Sequence, residues 1–425
     1  MKFTHSLNEL KKAKEIIPEG IKGMHKINKI GEYPGYFVRG YGPYIWDVDG
    51  NEYIDYVMGK GPYILGYANA EVDHAVIHQI EQGNIFPMGS PLHTQLALKI
   101  KSYLPSAEQI LFYKTGSCAT AAAVRLARAY TGKDIIVSSG YHGWHDWSNQ
   151  GLGIPKSTFD SFFAFGYSLN KLENFLDNHA GQCAALIITP EVGYFSQKYY
   201  QEIHEICKAN HILLILDEVK SGFRVALGGF QTLYNIRPDL STFSKAMANG
   251  YAISAVTGKK EIMSLSSRLH TAGTYEIETI PYVAALTTLQ LMESGNVLYE
   301  IERSGNYLVE NLTNVFQKNG IEIYPLFAGG SFRFWTRDFN LEQRFYAGMA
   351  QRGVLFYSYD NSYISYAHKK VHLDRTIETV CEVIDHDLSS YKGRYRPFNR
   401  DTLEDLKEIK NKKGFLDDYP GKDGR

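Results

Sequence analysis

The sequence predicts an α/β protein: a large three-layer domain around a mostly parallel sheet, joined to a smaller α+β domain. Three observations predict it. From about residue 110, short apolar runs alternate with helix-length segments: "QILFYKTG", "CATAAAVRLARAYTG", "DIIVSSG", "AALIITP", "YYQEIHEICKANH" and "ILLILDEV". Strands apolar on both faces and separated by helices are what a parallel sheet covered on both sides requires. From about residue 299 the pattern changes to helices and hairpin-like pieces. The composition, 44% hydrophobic and 21% charged over 425 residues, fits a folded chain with a large core.

The elements follow in order. "MKFTHSLNELKKAKEIIPEG" reads as a polar amphipathic helix ended by Pro18 and Gly20; it has no apolar core of a secretion leader, and no run reaches membrane-spanning length. "GPYIWDVDGNEYIDYV" reads as a hairpin around Asp49 and Gly50, because Asp-Gly between apolar-alternating flanks supplies the positive φ of a tight turn. "NAEVDHAVIHQIEQG" and "LHTQLALKIKSYL" have helical apolar spacing, and the alternating units come next. The expected divisions are an N-terminal segment 1–56 packing with the small domain, a large domain 57–298, a small domain 299–391 and a polar tail 392–425. In that tail, Lys407, Lys410, Lys412 and Lys413 face several acids.

Charge and cysteines exclude some functions. With 45 basic against 46 acidic side chains, and no basic stripe interleaved with aromatics, nothing draws a polyanion, so no nucleic-acid partner is expected. Cys118, Cys183, Cys207 and Cys381 lack any C-x-x-C spacing. They read as free thiols in a reducing compartment, with no zinc site, and the expected location is cytoplasmic.

In such sheets chemistry collects at the carboxyl ends of the strands, and three strand ends carry unusual residues. In "FYKTGSCATAAAVRLARAYTG", Gly116 and Ser117 sit where a strand stops and a helix starts. Free N–H groups, the helix dipole and a hydroxyl could converge there on an anion such as a phosphate; the alternative is an ordinary serine N-cap. In "ILLILDEVKSGFR", five apolar residues run into Asp217 and Glu218. A carboxylate there needs a cationic or proton-donating partner, a protonated pyridine nitrogen or else a base such as Arg224. The third is Lys245 in "LSTFSK". An amine held against apolar walls loses its proton more readily and can form a Schiff base; the alternative is a lysine with a buried stem and a head in solvent. Together, an anion cradle, a carboxylate for a ring nitrogen and an amine for an aldehyde describe one ligand, pyridoxal phosphate (PLP).

The sequence resembles the class III (omega) aminotransferases of the fold type I PLP enzymes, and among them proteins like glutamate-1-semialdehyde aminomutase. The resemblance runs from "IIPEG" to "AHKKVHLDRTIE" and is carried by "YIWDVDGNEYIDYVMGKGPYILGYANAEV", "TGSCATAAAVRLARAYTG", "GYHGWHD", "LDEVKSGFR" and "PDLSTFSKAMANGY". Asp217 and Lys245, 28 residues apart, also fit the family pattern. The resemblance implies that Lys245 forms the Schiff base with PLP and shuttles the substrate proton, while Asp217 keeps the pyridine nitrogen protonated. It assigns Gly116 and Ser117 to the phosphate turn and Tyr141 to stacking on the ring, with His142 and Gly143 following. It packs Val219 on the opposite ring face and brings Thr274 to the phosphate of the neighbouring subunit, so a homodimer with a shared active site is implied. Pyridoxamine phosphate would be the intermediate carrying the amino group.

The departures concern the substrate. The loop after Thr274 reads "EIET", Glu276 to Thr279, where the family has Ser-Gly-Asn-Pro. Thr189 and Pro190 replace a Glu-Pro pair, and Glu191 is not at the position of the missing acid. Cys118 replaces the glutamate after the phosphate turn, and Lys26 stands where the aminomutase has its carboxylate-binding arginine. Lysine cannot reproduce arginine's bidentate contact. The stretch "WHDWSNQGLGIPKSTFDSFFAFGY" is short and aromatic where the aminomutase has a long glycine-rich gating loop. The resemblance therefore implies a two-stage amino transfer from an amino acid such as glutamate to an aldehyde or ketone. Lys26, Glu191, Arg224 and Arg333 are unranked candidates for handling the substrate. Tyr141, Trp144, Trp147, Tyr194 and Phe195 could wall a pocket for a ring or a sugar face, or belong to core and interface, and a sugar-derived or phosphorylated acceptor is one possibility. An intramolecular aminomutase or a racemase on the same cofactor is the other enzymatic reading, and a non-catalytic cofactor-binding protein the third. A nicotinamide dehydrogenase is set aside because no G-x-G-x-x-G follows the first strand of a βαβ unit.

Overall fold

Cys183–Ile188 is buried along its whole length and Leu213–Asp217 from its second residue on. Only a sheet covered on both faces can hold such strands. They are two of seven: β1 Gln109–Tyr113, β2 Ile135–Ser139, β3 Phe162–Ala164, β4 Cys183–Ile188, β5 Leu213–Asp217, β6 Leu240–Phe243 and β7 Ser254–Gly258. Their order across the sheet is β1-β7-β6-β5-β4-β2-β3. Pairs β2/β3, β2/β4, β4/β5 and β5/β6 are parallel, whereas β7 runs antiparallel to both β6 and β1. Six strands thus share one direction, and their carboxyl ends open on one edge.

The two faces of the sheet are read directly from the period-2 alternation of each strand. Ala185 and Ile187 of β4 join Ile215, Leu240 and Val256 in a core beneath the alanine-rich helix Gly116–Thr131. Leu186 and Ile188 join Leu214 and Leu216 on the other face, against Leu172, Leu176, Tyr200 and Ile203 of the helices Leu169–Asn178 and Gln197–Ala209. Burying each Leu or Ile contributes about 1.5–3 kcal/mol. Alanines at 119, 122, 123 and 127 leave only methyl groups between helix and strands, which lets the helix lie close to the sheet.

The computed structural model describes residues 1–21, 35–191, 194–358 and 360–396. Lys26 and the tail from residue 397 onward, with its four lysines, lie outside the described residues. The chain divides into two units, Glu71–Ser294 with the seven-stranded sheet, and Met1–Ala70 with the segment that begins at Gly295. In the second unit, Tyr44–Asp47 and Glu52–Asp55 form the expected hairpin, with Gly50 at φ +82° and the Asp47 carboxylate accepting the Asp49 and Asn51 N–H groups. Val354–Leu355 adds in parallel to Glu52–Asp55. Strands Tyr324–Ala328, Ser331–Trp335 and Ser362–Tyr363 form a small antiparallel sheet, and Val297–Asn319 and Lys370–His386 are its long helices.

The N-terminal helix corrects its expected end. It spans Thr4–Ala13 and ends well before Pro18: Lys14 to Ile16 are turns, and the Ile16 and Ile17 N–H groups both reach the Ala13 carbonyl. Asp49 caps its start, accepting the His5 and Ser6 N–H groups at 2.6 and 2.8 Å. All four cysteines are free thiols. No described helix is long and apolar enough to cross a membrane.

Candidate functional site

The carboxyl edge of the sheet carries Gly116, Ser117, His142, Asp217 and Lys245, each just past or at the end of a strand. Asp217 ends β5 and is buried, and its carboxylate is held by three donors. The Val219 N–H and the Thr242 hydroxyl donate to Oδ1 at 3.2 and 3.0 Å, and His142 Nδ1–H donates to Oδ2 at 2.7 Å. A carboxylate offers about four acceptor sites, so one remains for a further N–H donor. The structure thus gives Asp217 His142 as a partner, a pairing the sequence did not indicate. His142 is itself buried, its carbonyl accepts the Thr120 hydroxyl at 2.6 Å, and its Nε2 has no hydrogen-bond partner among the described residues.

Lys245 comes from the neighbouring strand. Asp217 pairs with Thr242 in the parallel β5/β6 register, and Lys245 follows Thr242 by three residues. It opens the turn Lys245–Ala248, whose Ala246, Met247 and Ala248 are fully buried. Its φ is +34°, in the left-handed region. Such backbone costs a side-chain-bearing residue about 1–3 kcal/mol and persists only where surrounding packing imposes it, which happens mostly at functional sites.

At the end of β1 the N-cap is Thr115, whose Oγ1 accepts the Cys118 N–H at 3.2 Å, so the serine-cap alternative for Ser117 is corrected. Threonine wins because it holds the extended cap conformation, φ −127° and ψ 154°, while Gly116 and Ser117 are already in the helix. Their N–H groups are among the first-turn donors with no acceptor in the helix. Any Cβ on Gly116 would come within 2.9 Å of Val219, and one on Gly143, at φ +105°, within 2.2 Å of the Ser117 Oγ. Both glycines keep this hollow open.

Tyr141 is 59% exposed. Thr189, noted in the sequence only as a departure, fixes its backbone: it donates its hydroxyl to the Tyr141 carbonyl at 3.1 Å, and its own carbonyl accepts the Tyr167 hydroxyl at 3.0 Å. Glu218, next to Asp217, is wholly buried and accepts from the Ser221 hydroxyl, the Phe230 and Gln231 N–H groups and the Gln231 side chain. Burial outweighs these four donors and pushes its carboxyl up to about 7. Glu191 is buried, with Lys220 at 3.4 Å.

Thr274 lies on the surface at the head of the turn Thr274–Ile277. Of the two acids after it, Glu278 forms an ion pair with Lys114 at 2.5 Å. Arg224 is buried in the sheet unit; Arg333 is buried in the other unit with its guanidinium 4.8 Å from the Trp335 ring. No group of three or more His, Cys, Asp or Glu among the described residues could hold a metal.

These residues fit pyridoxal phosphate. The open helix start with its hydroxyl suits a phosphate, the spare acceptor site of Asp217 suits a ring N–H, and Lys245 suits an aldehyde. They match the three ends of that molecule.

Comparison with known proteins agrees. The aminotransferase class-III family model matches residues 29–150 and 164–388. The 3-aminobutyryl-CoA aminotransferase of Cloacimonas acidaminovorans is 35% identical over 90% of this chain and 97% of that protein. The 2'-deamino-2'-hydroxyneamine transaminase of Streptomyces kanamyceticus is 36% identical, covering 82% and 90%. The glutamate-1-semialdehyde 2,1-aminomutase of Methanothrix thermoacetophila is 34% identical, covering 89% and 96%. Among solved structures, the PLP internal aldimine form of the Sphingopyxis sp. MTA144 FumI protein superimposes with a TM-score of 0.85 at 27% identity, over 92% of this chain and 99% of that one. This chain therefore belongs to the class III aminotransferase family and is a PLP-dependent enzyme of the fold type I architecture.

Proposed function

We propose that the enzyme moves an amino group from an amino-acid donor, glutamate being the first to test, to the aldehyde or ketone of a small metabolite. The observation that carries this is Asp217, buried at the end of β5 with His142 at 2.7 Å and strand-paired to the segment that delivers Lys245. Bound pyridoxal phosphate supplies a reactive aldehyde and an electron-accepting ring. Asp217 would hold a proton on that ring's nitrogen through its spare acceptor site, with His142 fixing the orientation of the carboxylate. Lys245 Nζ would hold the aldehyde end of the group and would serve as the base that moves the substrate proton. The N–H groups of Gly116 and Ser117 would bind the phosphate, and Tyr141 and Val219 would pack against the ring. The similarity to a neamine-type transaminase supports a sugar-derived carbonyl acceptor. The protein works as a cytoplasmic homodimer, with Thr274 reaching the partner's phosphate site; its exposure in the single chain supports this.

A second reading is an intramolecular aminomutase or racemase, favoured by the relatives with the aminomutase name. One experiment separates the two. Purified protein is loaded with pyridoxal phosphate, and its absorbance is recorded before and after single amino acids, with Lys245→Ala as control. Loss of the lysine-bound cofactor band together with appearance of the matching keto acid, in wild type alone, supports amino transfer. A band that no common amino acid removes transfers support to the second reading, and normal turnover by Lys245→Ala overturns both.

A further inference from the structure

The loop that carries Thr274 hangs from the strand end that opens the phosphate turn. Ala272, Gly273, Thr274 and Tyr275 are all exposed. The loop's own backbone bonds lie at or beyond the usual limit, with the Glu276 N–H 3.4 Å from the Gly273 carbonyl and the Glu278 N–H 3.2 Å from that of Tyr275. Side chains fix it from outside. Ahead of Thr274, the Tyr113 hydroxyl donates to Thr271 Oγ1 at 3.1 Å; after it, Lys114 pairs with Glu278 at 2.5 Å. Arg125, on the helix Gly116–Thr131, donates to the His270 carbonyl at 2.6 Å. From behind, the Tyr282 hydroxyl donates to the Glu276 carbonyl and the Thr279 N–H to the Asn84 carbonyl, both at 2.7 Å.

Tyr113, Lys114 and Thr115 are consecutive. The first two grip the loop on either side of Thr274, and the third caps the helix that begins with Gly116 and Ser117. One short run therefore holds both the phosphate turn and the Thr274 loop. Among these ties the ion pair is particular to this chain, because Glu278 belongs to the "EIET" that departs from Ser-Gly-Asn-Pro. A proline's fixed φ would stiffen such a loop; here Thr279 stands in its place and the pair supplies the restraint. With side chains 19% and 25% exposed, Lys114 and Glu278 are screened less than charges on an open surface. Held by an ammonium, the Glu278 carboxylate is also neutralised, so the loop can approach an anion despite its acid.

We propose that Lys114 and Glu278 are positioning residues for the neighbouring subunit's cofactor, the pair holding Thr274 where the partner's phosphate meets it. This deepens the amino-transfer reading and rests on its shared dimer site.

The measurement is pyridoxal phosphate affinity, by titration of the lysine-bound band, in Thr274→Val, Glu278→Gln and the exchanged pair Lys114→Glu with Glu278→Lys. Thr274→Val weakens binding about 10- to 100-fold, the worth of a hydrogen bond to a charged group. Glu278→Gln weakens it several-fold with little change in urea unfolding, and the exchanged pair recovers most of that loss. A mixed dimer of one Glu278→Gln chain and one Lys245→Ala chain gives the direction of the effect. Its lysine-bearing site receives Thr274 from the Lys245→Ala chain, whose ion pair is intact, so that site binds with wild-type affinity. Equal affinity of Glu278→Gln and wild type, no recovery in the exchanged pair, or a mixed dimer as weak as the Glu278→Gln homodimer each overturns the proposal. Failure of the shared site shows separately, as wild-type affinity in Thr274→Val, and failure of amino transfer as a bound cofactor that no amino acid converts while these affinities stand.

Discussion

Asp217 and Glu218 are consecutive, both buried, and opposite in purpose. Asp217 keeps one acceptor site for a ligand, whereas Glu218 spends its oxygens on Ser221, Phe230 and Gln231 and so pins the segment that carries Val219 and Lys220. Burial raises the Glu218 carboxyl from 4.5 to about 7. The folded state therefore favours the protonated form. Its contribution to stability is fully present below pH 4.5 and is lost as the pH rises through about 7, a change of about 3 kcal/mol. Asp55, raised from 3.8 to about 6 chiefly by burial, acts with the same sign over a lower window. Glu218→Gln cannot lose that proton. Urea unfolding across about pH 5 to pH 8 should show the variant gaining on wild type as pH rises; parallel pH profiles for the two would contradict the assignment.

The element that shapes the anion end is the helix Gly116–Thr131, and its start depends on one side chain. Thr115 Oγ1 accepts the Cys118 N–H and donates to its Sγ. Thr115→Ala should cost about 1 kcal/mol of stability, the usual worth of an N-cap. It should also weaken pyridoxal phosphate binding several-fold, because the freed first turn no longer presents the Gly116 and Ser117 N–H groups in one orientation. Thr115→Ser should restore both. Denaturant unfolding and cofactor titration measure the two effects, and unchanged cofactor affinity in Thr115→Ala would show that the helix start does not meet the phosphate.

At the scale of the molecule, the sheet unit presents apolar residues that a lone chain would leave in water. Ile85 bridges to Glu278, and the Thr279 N–H donates to the Asn84 carbonyl, so the segment with Ile85, Phe86 and Met88 runs beside the one with Thr274 and Tyr275. Met88 is 79% exposed and Tyr275 62%. Apolar surface gathered in this way suits the proposed dimer interface, and a stable one buries more than about 1,000 Å². If the proposed shared site holds, sedimentation should find a dimer, and Met88→Asp should shift it toward monomer with loss of cofactor affinity, because Thr274 would no longer reach the partner's phosphate site. A wild-type protein that sediments as a monomer yet binds the cofactor tightly would refute the shared site.

By itself the sequence determined the strand and helix alternation, the hairpin at Asp49-Gly50, and the residues at strand ends: Gly116, Ser117, Asp217 and Lys245. These are legible because burial on both faces leaves a strand almost no freedom of composition, so a carboxylate or an amine at its tip stands out. Only the tertiary structure decided the pairings. That His142 rather than another base turns to Asp217, that Thr189 ties down Tyr141, and that Glu191 meets Lys220 all depend on which strands are neighbours and in what register. Residues 75, 48 and 29 positions apart in the chain carry no local signal of contact. Local chemistry is written in residue order, whereas contact between distant residues exists only once the order β6-β5-β4-β2 has brought their strand ends to one edge.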